Sequence, residues 1–159
     1  MKSYIPTLIL MVLLSAALPG CNKDNPEPFK NENPPVVESQ FSDCKNNTKS
    51  AGQESQYILL EAVNTAQLKI TFINAILNCC PGEIVTNVFI QDDILKVVFV
   101  ETPPGGLCNC ICPYDLECVI GDMETRNYNI EIYAGGDTPD AKFSFVFSSH
   151  LNLTYTVSD

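Results

Sequence analysis

Eight cysteines are spread unevenly along a chain of 159 residues. Cys21 closes the segment Leu18-Pro19-Gly20-Cys21, and seven others follow: Cys44, Cys79, Cys80, Cys108, Cys110, Cys112 and Cys118. A thiol can be acylated, oxidised to a disulfide, held as a metal thiolate or used as a nucleophile, and the neighbours decide which. Cys108-x-Cys110-x-Cys112 with Cys79-Cys80 would bring five soft sulfurs together, a set suited to Cu(I) or Zn(II). The Cys-x-Cys steps are shorter than the Cys-x2–4-Cys of structural zinc sites, and an exported chain meets oxidants before it meets metal. Disulfides are therefore the first expectation for the seven, and a metal or redox cluster at Cys79, Cys80, Cys108, Cys110 and Cys112 is the alternative.

Parity narrows the partners. Cys108, Cys110, Cys112 and Cys118 occupy even positions with Tyr114, Leu116 and Ile120, while Asn109, Asp115 and Glu117 between them are polar. If the segment is extended, all four sulfurs share one inward face. Neighbours on one strand face cannot bond each other easily, so each sulfur needs a partner from elsewhere. Cys79-Cys80, before the turn at Pro81-Gly82, supplies two, and Cys44 supplies a third. The expectation is a staple from 79–80 to 108–112 with a second bridge from Cys44. Seven is odd, so at least one thiol lacks an intrachain partner, and any thiol activity is expected there.

Cys21 stands apart. Lys2 is followed by an apolar stretch from Tyr4 to Ala17 and then by small residues, the layout of a secretory signal over residues 1–20. The apolar core is too short to span a bilayer. Leu18-Pro19-Gly20-Cys21 resembles the bacterial lipobox, with Pro19 departing from its usual middle residue. That resemblance implies a diacylglyceryl, N-acylated Cys21 and no transmembrane helix. Asn22 at the next position implies outer-membrane sorting. Residues 21–38, with Pro26, Pro28, Pro34 and Pro35 among Asn and mixed charges, bury too little apolar area to fold alone. They read as a tether of about 40 Å.

Residues 39–159 suit one domain. Removing residues 1–20 takes away Lys2 and no acid, so the net charge moves from −10 to −11. That disfavours nucleic acid as a partner. Period-2 patterns dominate: Leu68/Ile70/Phe72, Tyr128/Ile130/Ile132 and Phe143/Phe145/Phe147 alternate with residues that are mostly polar. Val85–Ile90 and Ile94–Val100 flank Gln91-Asp92-Asp93 as a hairpin. Ala62 to Ala75 is rich in Val, Thr, Ile and Phe and reads as strand rather than helix. The path from Leu116–Ile120 through Gly121-Asp122-Met123 to Tyr128 has the layout of a tyrosine corner across a sandwich end. The expected fold is all-β: an antiparallel β-sandwich, immunoglobulin-like and stapled by disulfides.

Catalytic patterns are missing. His150, the one histidine, follows Ser148-Ser149 without the separated partners of a triad. Asp92-Asp93 reads as turn chemistry. Asp115 and Glu117 share a face and could hold Ca2+ weakly, yet no further oxygens lie nearby in sequence. Tyr114, Tyr128 and Tyr133 read as core packing. No enzyme activity and no cofactor are expected.

Asn78-Cys79-Cys80-Pro81, with Cys108-Asn-Cys-Ile-Cys-Pro-Tyr-Asp-Leu116 and Gly121 to Tyr128, resembles small cysteine-containing Bacteroidetes lipoproteins of unknown function. The resemblance implies location and β architecture, and brings no activity or binding residues. The functional expectation is a membrane-anchored, non-catalytic binding or structural module of the bacterial envelope. Its partner would be an envelope protein, a glycan or a host molecule. The alternative is a cysteine-cluster metal-binding or redox-sensing envelope protein.

Overall fold

The computed structural model describes residues 33–45 and 55–158. Cys21, the signal segment and most of the tether lie outside these residues. Nine strands form: β1 (Val36–Phe41), β2 (Tyr57–Ala62), β3 (Leu68–Asn78), β4 (Glu83–Gln91), β5 (Ile94–Thr102), β6 (Ile111–Ile120), β7 (Asn127–Ala134), β8 (Ala141–Val146) and β9 (Asn152–Thr156). One sheet has the order β1-β6-β3-β2-β9 and the other β4-β5-β7-β8. No helix occurs among the described residues, and the stretch from Ala62 to Ala75 holds the end of β2, a turn and most of β3. β1 begins at Val36, so Val36-Val37-Glu38, placed at the end of the tether by composition, are strand.

Alternation builds the core. Ile58 and Leu60, Leu68, Ile70 and Phe72, and Leu116 and Ile120 meet Leu95, Val97, Phe99, Ile130 and Ile132 from the facing sheet, all nearly without exposure. Each inward side chain of this size contributes roughly 1.5–3 kcal/mol on burial. The two open sides of the sandwich are closed differently. Phe143 of β8 stacks on Tyr155 of β9 at 4.1 Å, whereas Ser39 of β1 and Thr86 of β4 share a 2.6 Å hydrogen bond.

Two local predictions are realised in detail. Asp92 and Asp93 form a two-residue hairpin turn with φ of 52° and 61°, the left-handed pair that a type I′ turn requires and that Asp tolerates. Tyr128 anchors the passage from β6 to β7, its hydroxyl accepting a 3.1 Å hydrogen bond from the Glu124 amide. That is the geometry of a tyrosine corner.

The sheets are not wholly antiparallel. β5 and β7 pair in parallel, from Ile94↔Asn129 to Phe99↔Ala134. The chain leaves β5, crosses to the other sheet as β6, and re-enters beside β5 in the same direction, which a crossover connection permits and a hairpin does not. The sandwich is immunoglobulin-like in its layers, with one mixed sheet. On the outer face of that sheet Glu131 is almost buried. Lys142 at 2.7 Å and the Tyr133 hydroxyl at 2.7 Å hold its carboxyl below the ordinary value of 4.5.

The strand directions give the domain two unlike poles. Pro35, Gly121 and the short turns at 63–67, 92–93 and 147–151 gather at one, where the chain enters β1. The 79–82, 103–110 and 135–140 connections gather at the other. β6, with 10 residues, separates the poles by about 30 Å.

Candidate functional site

All six cysteines at the far pole are bridged. Cys44 joins Cys112, Cys79 joins Cys110 and Cys80 joins Cys108, with Cα separations of 5.9, 5.7 and 5.6 Å. These separations lie within the span a disulfide accepts. The structure therefore brings the 79–80 turn onto the 108–110 segment and fastens Cys44 to the head of β6. Each sulfur from 79–80 takes its partner in reversed order, because the two segments run antiparallel.

Asn78 locks the arrangement from within. Its side-chain Oδ1 accepts from the amides of Cys80 and Cys108, both at 3.0 Å, and Nδ2 donates to the Cys108 carbonyl at 2.6 Å. Its own amide donates to Glu101 at 2.7 Å, and the Tyr114 hydroxyl donates to its carbonyl at 3.2 Å. Gly82, at φ 68°, lets the turn approach so closely that a Cβ would lie 2.5 Å from the Thr102 carbonyl. Only glycine fits there. The result is a loop from Pro103 to Cys110 that is fastened at its Cys108–Cys110 end. Leu107, 65% exposed, and Ile111, 74% exposed, project from it and from its junction with β6.

The parity expectation holds only in part. Cys112, Tyr114, Leu116, Cys118 and Ile120 do point inward, but Cys108 and Cys110 are exposed. β6 begins only at Ile111, so Cys108 and Cys110 lie in the loop before it, outside the extended geometry that parity presumes. Leu107 and Ile111 were missed by the sequence reading. Their signal was present: two large apolar residues at odd positions, opposite the cysteines.

The chemistry of the remaining sulfurs follows. With Cys79, Cys80, Cys108, Cys110 and Cys112 in disulfides, none of the five is a thiolate. Cys118 is the unpaired cysteine among the described residues and is wholly buried. Burial, with the nearby Glu117 charge, pushes its thiol up to about 12. The expectation that the odd thiol is a seat of activity is overturned, because the thiolate is the reactive form and the core suppresses it. Iodoacetamide at pH 8 should leave Cys118 unmodified in the native chain and alkylate it in guanidinium, as peptide mass spectrometry would show.

The other candidates resolve individually. His150 is exposed, and its one hydrogen bond among the described residues is with Ser149 Oγ at 3.1 Å, with no acid to orient it. Tyr114 and Tyr128 are core residues of opposite sheets. Tyr133 faces outward onto Glu131, so the three tyrosines form no cluster.

Asp115 and Glu117 do share a face, but lysines occupy them. A depression of about 410 Å³ on the outer face of the β1-β6-β3 sheet is lined by Gln40, Ser42, Thr71, Ile73, Asp115 and Glu117. Lys45, beside the Cys44 bridge, donates to Asp115 Oδ1 and, at 2.8 Å, to Asn74. Asn74, at φ 59°, is the extra residue of a bulge between Phe72 and Ala75, and its amide donates to Asp115 at 3.1 Å. Lys69 lies 2.6 Å from Glu117, whose other oxygen accepts from Gln40 at 2.6 Å. Burial alone would raise the Glu117 carboxyl; the hydrogen bonds from Lys69 and Gln40 outweigh it and hold the group below 4.5.

A depressed carboxylate stabilises the fold above its unfolded value, and that contribution is lost as pH falls through the folded one. Glu117→Gln should therefore cost about 0.5–1 kcal/mol at pH 7 and less at pH 3, read from urea midpoints. An equal cost at both values would disprove the ionic origin. No protein-family model matches the chain, and no curated protein or solved structure is found to be similar to it.

Proposed function

We propose that this chain is a lipid-anchored, non-catalytic binding module of the bacterial cell envelope, held to the outer membrane through Cys21. The observation that carries the reading is the stapled pole. Three disulfides and Asn78 fix a loop whose Leu107 and Ile111 stand exposed, about 30 Å from the pole where the chain enters β1. The chain enters the domain at the opposite pole, so that loop stands at the end farthest from the point of attachment. Loops gathered at one end of a rigid sandwich are a common way to present a contact surface. Ordering costs are met in advance by the bridges, so apolar side chains on such a loop bind with little further entropy loss.

The partner in this reading is an envelope protein, a glycan or a host molecule, and the lipoproteins this chain resembles support the location. The net charge of −10 argues against nucleic acid. The metal and redox reading needs thiolates that the disulfides consume.

A photocrosslinking amino acid at Leu107 or Ile111, in cells, should give a discrete adduct. The same group at Val146, 60% exposed near the entry pole, should not. Leu107→Ser with Ile111→Ser should abolish the adduct formed from a neighbouring position, Asn109, while changing stability by no more than about 0.5 kcal/mol. Equal labelling from Val146 would remove the case for this pole.

A further inference from the structure

The depression beside the stapled pole is built from groups that no role in the module reading absorbs. Lys45 and Lys69 balance Asp115 and Glu117, so the cluster carries no net charge. Yet its hydrogen-bonding capacity is not exhausted. Among the described residues Lys45 spends two of its three N–H donors, on Asn74 and Asp115. Among the described residues Asp115 uses Oδ1 for both of its acceptor contacts, leaving Oδ2 open, and the Gln40 amide oxygen is likewise unengaged. Polar side chains from three strands thus line a concave surface, with Lys45 and Lys69 paired to its carboxylates and Phe41 and Ile73 supplying an apolar wall.

We propose that this depression is a binding subsite for a neutral saccharide. An anion would meet Asp115 and Glu117, and a cation would meet Lys45 and Lys69. A divalent metal would need oxygens that are already paired with ammonium groups. A hydroxyl differs from all of these, because it donates to Asp115 Oδ2 while accepting from the second N–H of the Gln40 side-chain amide. Hydrogen bonds to ionised partners are roughly twice as strong as neutral ones, and one polyol makes at once several that would otherwise order separate waters. The volume of about 410 Å³ falls within the roughly 300–1,000 Å³ of small-molecule sites. The site is also preorganised: the Cys44–Cys112 bridge fixes the residue before Lys45, and the bulge at Asn74 turns its amide onto Asp115.

This inference rests on the binding-module reading and names a ligand class for it. The test uses the full mature chain in a detergent without a sugar headgroup, titrated calorimetrically with malto-, cello-, manno- and xylo-oligosaccharides. Polygalacturonate serves as the charged comparator. At least one neutral oligosaccharide should bind in the micromolar-to-millimolar range, and polygalacturonate should bind no better. Asp115→Asn should weaken binding about tenfold, the effect of one charge-assisted hydrogen bond. Gln40→Ala, on the exposed edge strand, should weaken it severalfold and decides the matter if the first variant does not fold. Val146→Ser, on the exposed edge of the other sheet, should leave it unchanged. Absence of binding, or binding indifferent to both cleft variants, overturns the proposal. If crosslinks from Leu107 persist without saccharide binding, the cleft assignment alone fails; if both are absent, the module reading fails with it.

Discussion

A chain carrying serine at Cys79, Cys80, Cys108 and Cys110 is expected to lose about 5 kcal/mol, whereas Cys80→Ser with Cys108→Ser alone loses only about 2. The asymmetry comes from the geometry of the two bridges. They close loops of sequence separation 31 and 28, one nested inside the other. The first to form removes the entropy of a loop of some thirty residues. Once it exists, the second closes a ring of about five residues, and chain entropy scales only with the logarithm of that length. The exposed environment of Cys80, Cys108 and Cys110 means that serine itself is tolerated at these positions.

The Cys44–Cys112 bridge spans 68 residues, a loop that the nested pair shortens to about 40, so its removal should cost about 4 kcal/mol. These losses compare with a total of about 5–15 kcal/mol for a domain. Circular dichroism of each variant should show the four-serine chain melting roughly 15–25 °C lower. Losses from the two nested bridges that simply add would sink this account. The same variants bear on function, since Leu107 and Ile111 are displayed only while the loop is held.

What was readable beforehand was whatever depends on alternation within a strand. Phe72, Ile130 and Phe145 could be placed inside because each repeats with period 2 beside polar neighbours. The Asp92-Asp93 turn and the Tyr128 corner were readable because each is a local device with its own residue signature. The parallel β5–β7 pair was not, since nothing in β5 or β7 records that β6 crosses to the other sheet between them. Cys108 and Cys110 were placed inside because parity was carried back beyond Ile111, where the strand has already given way to loop.

The cleft was the least legible part. Asp115 and Glu117 could be seen to share a face, but their partners Gln40, Lys45, Lys69 and Asn74 come from β1, its following loop and two positions along β3. Only the register of three strands, with the bulge at Asn74, brings them together. Side-chain identity at one position says nothing about which lysine lies across the ladder from it. A single extra residue in β3 decides whether the Asn74 amide reaches Asp115 or misses it.

Cys21→Ala is expected to move the protein from the membrane to the soluble fraction and to abolish palmitate incorporation. Each buried methylene of an acyl chain contributes about 0.8 kcal/mol, so a diacylglyceryl group with a third chain holds the protein stably where one chain would not. The disulfides now give this proposal a second, independent readout. Eight cysteines less the six in bridges leave Cys21 and Cys118. A lipidated chain, denatured without reductant, should therefore titrate one thiol, and that thiol should map to Cys118. Two thiols, or an adduct at Cys21, would show that residue unmodified and leave the module without its anchor. The native protein should titrate none, because the one remaining sulfur is sealed in the core with its thiol held protonated. Membrane attachment and thiol count are thus consequences of one assignment, and the same mutant and the same titration decide both.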